Sequence, residues 1–301
     1  MTVRAAAAMS VAVAGAIAAL LPSGAFGAVP KASWYWTLAV SGADPNTLLL
    51  GTSNGLYRST DAGETWQLAG NERINATSVV QSGDTTFLGG IRSRAATKAV
   101  IIVGGAYLSG PGTSVVEASA DGGTTWEKRQ PHGLPNIGVQ ALAVDPADDS
   151  VLYAVVRNGA LYKSTDGARS FRLVASTVGG TPWALAVTES HHFVTGDMTS
   201  GSYLSSTGDN WLRTSFADPR GGSMVMEYAV QPTNARHVLM TSYGVFTSGD
   251  AGKTWRVALK SKVMFGPVAW GRNAPAVAYA VGWDRSLWRS DDGGKSWKRT
   301  S

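Results

Sequence analysis

Four stretches of this sequence spell one eight-residue phrase, and the spacing between copies constrains the fold more than any other feature. Ser59-Thr-Asp61-Ala-Gly63-Glu-Thr65-Trp66 recurs as Ser119-Ala-Asp121-Gly-Gly123-Thr-Thr125-Trp126, Ser248-Gly-Asp250-Ala-Gly252-Lys-Thr254-Trp255 and Ser290-Asp-Asp292-Gly-Gly294-Lys-Ser296-Trp297. Two worn copies lie between them. Ser164-Thr-Asp166-Gly-Ala168-Arg-Ser170-Phe171 has Ala for the second Gly and Phe for Trp. Ser205-Ser-Thr207-Gly-Asp-Asn-Trp211 is one residue short and carries Thr in the Asp position. The terminal aromatics at 66, 126, 171, 211, 255 and 297 are 60, 45, 40, 44 and 42 residues apart. A period of about 40–45 residues is the length of one four-stranded blade in a radially repeated sheet.

The flanks obey the same period. A short apolar run precedes each copy: 36–40 (WTLAV), 76–80 (ATSVV), 140–144 (QALAV), 183–187 (WALAV), 226–230 (MEYAV) and 266–270 (GPVAW). Polar turns such as Asp44-Pro45-Asn46 follow, then second strands such as 48–52 (LLLGT) and 151–156 (VLYAVV). Short apolar runs separated by Gly, Pro, Asp and Asn read as hairpins, and no segment beyond the N-terminal leader sustains a helical period. The expectation is an all-β, six-bladed β-propeller of four-stranded antiparallel blades, with the repeated phrase turning the third strand of each blade into the fourth. The blades span approximately 34–70, 74–130, 138–175, 182–214, 224–259 and 264–300, in a single domain over 28–301. Blade six would close on blade one by packing, with no shared strand.

Each position of the phrase has a structural reason. Ser and Asp side chains hydrogen-bond the turn's own backbone, Gly supplies positive φ, and the Trp packs its body under the blade. The set Ser59, Asp61, Gly63, Trp66; Ser119, Asp121, Gly123, Trp126; Ser164, Asp166, Phe171; Ser205, Trp211; Ser248, Asp250, Gly252, Trp255; and Ser290, Asp292, Gly294, Trp297 is therefore read as scaffold. The alternating ligand ladder of a calcium loop is absent. No metal and no cofactor is expected.

Composition narrows the classes further. The net charge is +5, with no run of five Lys or Arg, so nucleic acid is not an expected partner. With no Cys there is no disulfide framework, thiolate metal site or lipid-modified Cys anchor. His191 and His192 are adjacent and would point to opposite faces of a strand. Residues 1–27 read as an export signal: Arg4, an apolar small-residue core over 5–21, a break at Pro22 and Gly24, and a cleavage site at Ala25-Phe26-Gly27. The alternative is a retained N-terminal anchor. The mature protein is expected to be secreted or otherwise extracytoplasmic, a monomer, and without stable membrane insertion after cleavage.

The phrase resembles the Asp-box, or BNR, repeat family over about 265 of the 301 residues. That resemblance is specific for fold and unspecific for function. It spans sialidases, oligoxyloglucan-acting hydrolases, sortilin-type receptors and the photosystem II assembly factor group. In the resembled enzymes the active site lies on the face away from the boxes. On that face the candidate ligand-binding residues are Trp36 and Trp183, which begin aligned inner strands, with Trp283, Arg285 and Glu227. Arg92 and Arg94 belong to an insertion over 92–114 that lengthens blade two. Glu227, Asp284 and Tyr228 are the candidate catalytic groups, with Asp218 a further carboxylate on that face. Arg73-Ile74-Asn75 is the nearest string to the sialidase Arg-Ile-Pro signature, but it has Asn for Pro and follows blade one. The xyloglucan-acting group resembles two fused propellers, whereas this chain is one. The assembly-factor group resembles the chain in overall plan. The expected function is a non-catalytic binding or assembly propeller for a glycan or an extracytoplasmic protein. The alternative is a glycoside hydrolase.

Overall fold

The structure, a computed structural model, describes residues 28–300 apart from 42–43, 70–74, 83–84, 94–111, 130–131, 179–181, 189–191, 198–200, 215 and 217–223. It contains six antiparallel four-stranded sheets, each made from consecutive strands. Blade one is β1 (Tyr35–Val40), β2 (Leu48–Thr52), β3 (Gly55–Ser59) and β4 (Gln67–Leu68). Blade two is β5 (Asn75–Ser82), β6 (Thr85–Ser93), β7 (Gly112–Ser119) and β8 (Glu127–Arg129). Blade three is β9 (Val139–Asp145), β10 (Asp148–Val156), β11 (Leu161–Ser164) and β12 (Arg172–Ala175). Blade four is β13 (Pro182–Val187), β14 (Phe193–Asp197), β15 (Ser202–Ser205) and β16 (Leu212–Thr214). Blade five is β17 (Tyr228–Gln231), β18 (Asn234–Ser242), β19 (Gly244–Ser248) and β20 (Arg256–Lys260). Blade six is β21 (Phe265–Trp270), β22 (Ala278–Gly282), β23 (Leu287–Ser290) and β24 (Lys298–Arg299). The innermost strands β1, β5, β9, β13, β17 and β21 touch in order, and β21 touches β1. The ring thus closes by packing, and no strand is shared between the first sheet and the last.

The core is divided into wedges between blades. Inner strands such as YWTLAV and PWALAV are buried along their whole length, because each is covered by a neighbouring blade on both faces. Every box aromatic enters the wedge between its own blade and the preceding one. Trp66 packs between blades six and one, Trp126 between one and two, and Phe171 between two and three. Trp211, Trp255 and Trp297 do the same for the next three wedges. Each box is thereby a staple across a seam as well as a turn.

Box geometry explains the phrase. In blade one the Gly63 N–H donates to Ser59 Oγ at 2.9 Å, while the Ser59 hydroxyl donates to Asp61 Oδ1 at 2.7 Å. Asp61 also accepts the Thr65 N–H at 2.9 Å and the Thr65 hydroxyl. The same bonds recur around Asp121, Asp166, Asp250 and Asp292. Two consecutive residues take positive φ in each of these five boxes, for example Ala62 at 58° and Gly63 at 94°. A Cβ on Gly63 would lie 2.3 Å from Leu287 of blade six, so the staple also needs the bare glycine to approach its neighbour. In the worn third box Ala168 adopts φ 64° and keeps the turn without the second glycine. The fourth box has lost one of the paired positive-φ positions. Only Gly208 remains, at 89°, and its N–H reaches Ser205 Oγ from three residues away where the intact boxes use four.

Candidate functional site

The inner strands surround a central cavity of about 440 Å³. At one end lie the first residues of the inner strands, Trp36, Trp183, Met226 and Glu227. At the other lie the turns after them, including Pro146, Pro232, Thr233, Arg272 and Asn273. The two ends differ in kind.

The first end is filled by its own aromatics. Trp36 of blade one and Trp183 of blade four belong to opposite blades, yet their rings stack at 5.2 Å with an interplanar angle of 11°. Trp34 stacks on the far face of Trp36 at 5.6 Å, and Trp283 meets Trp34 edge-on at 4.6 Å. Trp36 Nε1 donates to Asn75 Oδ1 at 2.6 Å. Trp36 and Trp183 are only 8% and 9% exposed. The two rings expected to face a ligand face each other across the channel mouth. Stacking between them gains more apolar burial than leaving two indoles in a narrow wet pore. Trp34 and Trp283 remain half-buried at the rim. Trp34 was not singled out in the sequence, although its spacing of two from Trp36 would have placed it on the same side of a strand.

Glu227 sits beneath this plug, half-buried where it borders the cavity. Its Oε2 accepts the Val268 N–H of blade six at 3.1 Å, and its carboxyl also accepts from the Leu38 N–H and Thr37 hydroxyl of blade one. Burial pushes its pKa well above the ordinary carboxylate range, against those three donors. The arrangement extends contacts made at the same level in blades one and two, although Ala141 and Ala184 supply no acceptor in blades three and four. Thr37 Oγ1 accepts the Val79 N–H of the next blade at 3.0 Å, and Ser78 Oγ accepts the Leu142 N–H of the next at 2.9 Å. In each case the residue before one inner-strand amide supplies the acceptor for the corresponding amide one blade on. Blade six has Pro267 at that position, which offers no side-chain acceptor. Glu227 reaches past it from blade five and serves the Leu38 amide instead. The carboxyl is a bridge over the seam where the ring closes.

The other candidate residues are placed apart from it. The Tyr228 hydroxyl donates to Thr195 O at 3.1 Å and to Ser202 Oγ at 2.8 Å, tying blade five to blade four. Asp284 is exposed, accepts the Ser286 N–H at 3.1 Å and lies 3.8 Å from Arg299 of the outermost strand; it does not line the cavity. Arg285, at φ 69°, donates from Nε to Val29 O at 3.0 Å and pins the N-terminal segment across the seam. Trp283 donates its backbone N–H to Met264 O at 2.9 Å, and its Nε1 is buried with no hydrogen-bond partner among the described residues. Arg92 lies in β6 opposite Thr113. Arg73, Arg94, Asp218, His191, most of the insertion and the leader fall outside the described residues. Asp145 is the other carboxylate lining the cavity. It stands at the opposite end, where it accepts the Ala147 N–H at 3.0 Å. Glu227 and Asp145 therefore belong to opposite ends of the cavity, and Asp284 does not line it.

The box carboxylates are occupied as well. The Thr125 hydroxyl and N–H hold Asp121 down to about 2, and the Ser170 hydroxyl holds Asp166 to about 2. No cluster of three or more His, Asp or Glu able to hold a metal occurs among the described residues. No helix among them is long and apolar enough to cross a membrane.

Comparison with known proteins agrees with this architecture. The BNR/Asp-box repeat model matches residues 57–68 and 288–299. Comparison with curated proteins gives no match. Among solved structures, YCF48 bound to D1 peptide is similar at 17% identity, covering 93% of this chain and 85% of that one, with a TM-score of 0.54. YCF48 from Cyanidioschyzon merolae is 20% identical over 92% of this chain and 88% of its own, with a TM-score of 0.50. The GH74 enzyme of Niastella koreensis is 17% identical over 88% of this chain and 46% of its own, also at 0.50. At these identities the likeness is one of fold. The repeat model falls on the two boxes that flank the closing seam, and the chain is a β-propeller carrying BNR/Asp-box repeats.

Proposed function

We propose that the chain is an exported, non-catalytic binding or assembly propeller whose ligand is a segment of another protein. The observation that carries this reading is the state of Glu227. A catalytic carboxyl must be free to exchange a proton with substrate, whereas this one is committed to two amides and a hydroxyl of neighbouring blades. The plugged mouth supports the same reading, since the half-buried rings of Trp34 and Trp283 with Arg285 present a rim and not a substrate-sized cleft. The similar propeller solved with the D1 peptide is a precedent for peptide capture on this fold. Export rests on the sequence of residues 1–27, with cleavage after Gly27 leaving Ala28 as the first residue. A glycan ligand is the second reading, favoured by the two rim tryptophans.

The test is a three-arm assay on the mature chain: a tiled peptide array, a glycan array and a panel of aryl glycosides. Saturable peptide binding without aryl release is expected. Turnover of any aryl glycoside that disappears in a Glu227→Gln variant would overturn the reading, and selective glycan binding would replace the ligand class.

A further inference from the structure

The seam between blades three and four is built unlike the others. In blade one, Arg58 on β3 donates from Nε to Gly122 O in the box of blade two at 3.0 Å. Gly122 is the first of that box's two positive-φ residues. Lys163 holds the same place on β11 of blade three, one residue before the box serine. The short fourth box lacks the residue corresponding to Gly122, the one whose carbonyl Arg58 reaches in blade two. A pocket of about 390 Å³ is found there, lined by Tyr153, Lys163, Arg172, Phe193, Ser206 and Thr207 among others.

Charge makes this pocket unusual. Lys163 and Arg172 are direct cross-strand partners. Like charges placed opposite each other destabilise a sheet unless an anion lies between them. Blade six carries the same ladder, Tyr279 beside Arg289 beside Lys298. There Arg289 is neutralised by Asp291 at 2.7 Å and accepted by the Tyr279 hydroxyl at 2.9 Å. In blade three the residue corresponding to Asp291 is Thr165. Lys163 lies over the Tyr153 ring at 5.4 Å and feels the charge of Asp148, but neither it nor Arg172 makes a contact ion pair among the described residues. Leu173, next to Arg172 and lining the same pocket, is 55% exposed.

We propose that this notch binds an acidic peptide segment. One carboxylate sits between Lys163 and Arg172, within reach of the exposed Ser206 hydroxyl, and the neighbouring apolar side chain lies on Val174, which shares the face of Arg172. The guanidinium and ammonium supply the charge, and the pocket is at the small end of the range for ligand sites, which suits one or two side chains. The proposal rests on the protein-binding reading above and places a contact for it at a seam, away from the channel rim.

Calorimetric titration of the mature chain with the end-blocked peptide Gly-Glu-Phe-Glu-Gly tests it, with the Gln-Phe-Gln analogue and free glutamate as comparators. Binding of the acidic peptide at least tenfold tighter than the Gln analogue is expected. A Lys163→Ala/Arg172→Ala double variant with unchanged Tm should lose it, and Lys163→Arg/Arg172→Lys should keep it. Inserting one Gly between Thr207 and Gly208 should also abolish binding by refilling the notch. Equal binding by the double variant, or no preference over the Gln analogue, overturns the site. Competition by free glutamate as strong as the peptide's own affinity would make it a small-acid site and overturn the peptide assignment. A peptide found on the array whose binding ignores the double variant leaves the protein-binding reading intact and sinks only the notch.

Discussion

The seam between blades six and one and the seam between blades three and four have the same wedge of apolar side chains and opposite finishing. At the first, Trp66 fills the wedge, Glu227 bridges from blade five to blade one, Arg285 holds Val29, and Arg289 is fully partnered. At the second, the box is short, Thr207 stands in for Asp and its hydroxyl donates to Asp209, and two cations face an open notch. A ring closed without a shared strand concentrates its bonding where the chain ends meet. A seam inside the continuous chain is under no such demand.

The largest expected effect that would break this contrast is at Trp66. Trp66→Ala empties part of the closing wedge and should cost about 3–4 kcal/mol, in the lower part of the range for buried aromatics because the ring keeps some exposure. Trp211→Ala in the loose seam should cost about half as much by the same measure. Equal losses in urea denaturation would mean that the two seams do not differ in strength.

Glu227→Ala should come next, costing about 2–3 kcal/mol by leaving the Val268 and Leu38 amides without acceptors. The pH dependence sharpens this prediction. A carboxyl whose folded pKa is raised binds its proton more tightly when folded, so its contribution is fully present below about 4.5, the unfolded value, and is lost as pH rises through the folded pKa. Wild-type stability is therefore expected to decline upward from that pH, and Glu227→Gln should flatten the decline. A decline that persists unchanged in the Gln variant would assign it to another group.

The box carboxylates act in the other direction. Asp121 and Asp166 have folded pKa values lowered to about 2, so their stabilisation is present above the unfolded value and disappears as pH falls through about 2. Asp121→Asn should reduce the loss of stability between pH 4 and pH 2, by about 1 kcal/mol after allowance for solvent screening. An acid limb identical to wild type would show that the turn bonds do not favour the charged form.

The smallest effect separates the two cations that hold the same place in their blades. Arg58→Ala should cost about 1 kcal/mol through the lost bond to Gly122 O, and Lys163→Ala close to nothing. A larger loss at Lys163 would mean that the notch is a structural seam and not a vacant one.

The box phrase by itself determined the turns, the strand order within each blade and the sixfold count. Those features follow from local chemistry: Ser and Asp bonding their own loop, glycines at positive φ, and a fixed repeat length. Sequence also marked Glu227 as anomalous within an apolar strand. Only the tertiary structure decided what these residues do. Trp36 and Trp183 are 147 positions apart in the sequence and meet because blades one and four face each other across the axis, which no local pattern encodes. Glu227 became a bridge because ring closure brings it beside Val268 of blade six and Thr37 and Leu38 of blade one. Nothing local in the sequence marks Lys163 and Arg172; the register of β11 and β12 sets them side by side next to the short fourth box. In a closed ring the seams join residues distant in the chain, so the sequence writes the blades and the closure writes the sites.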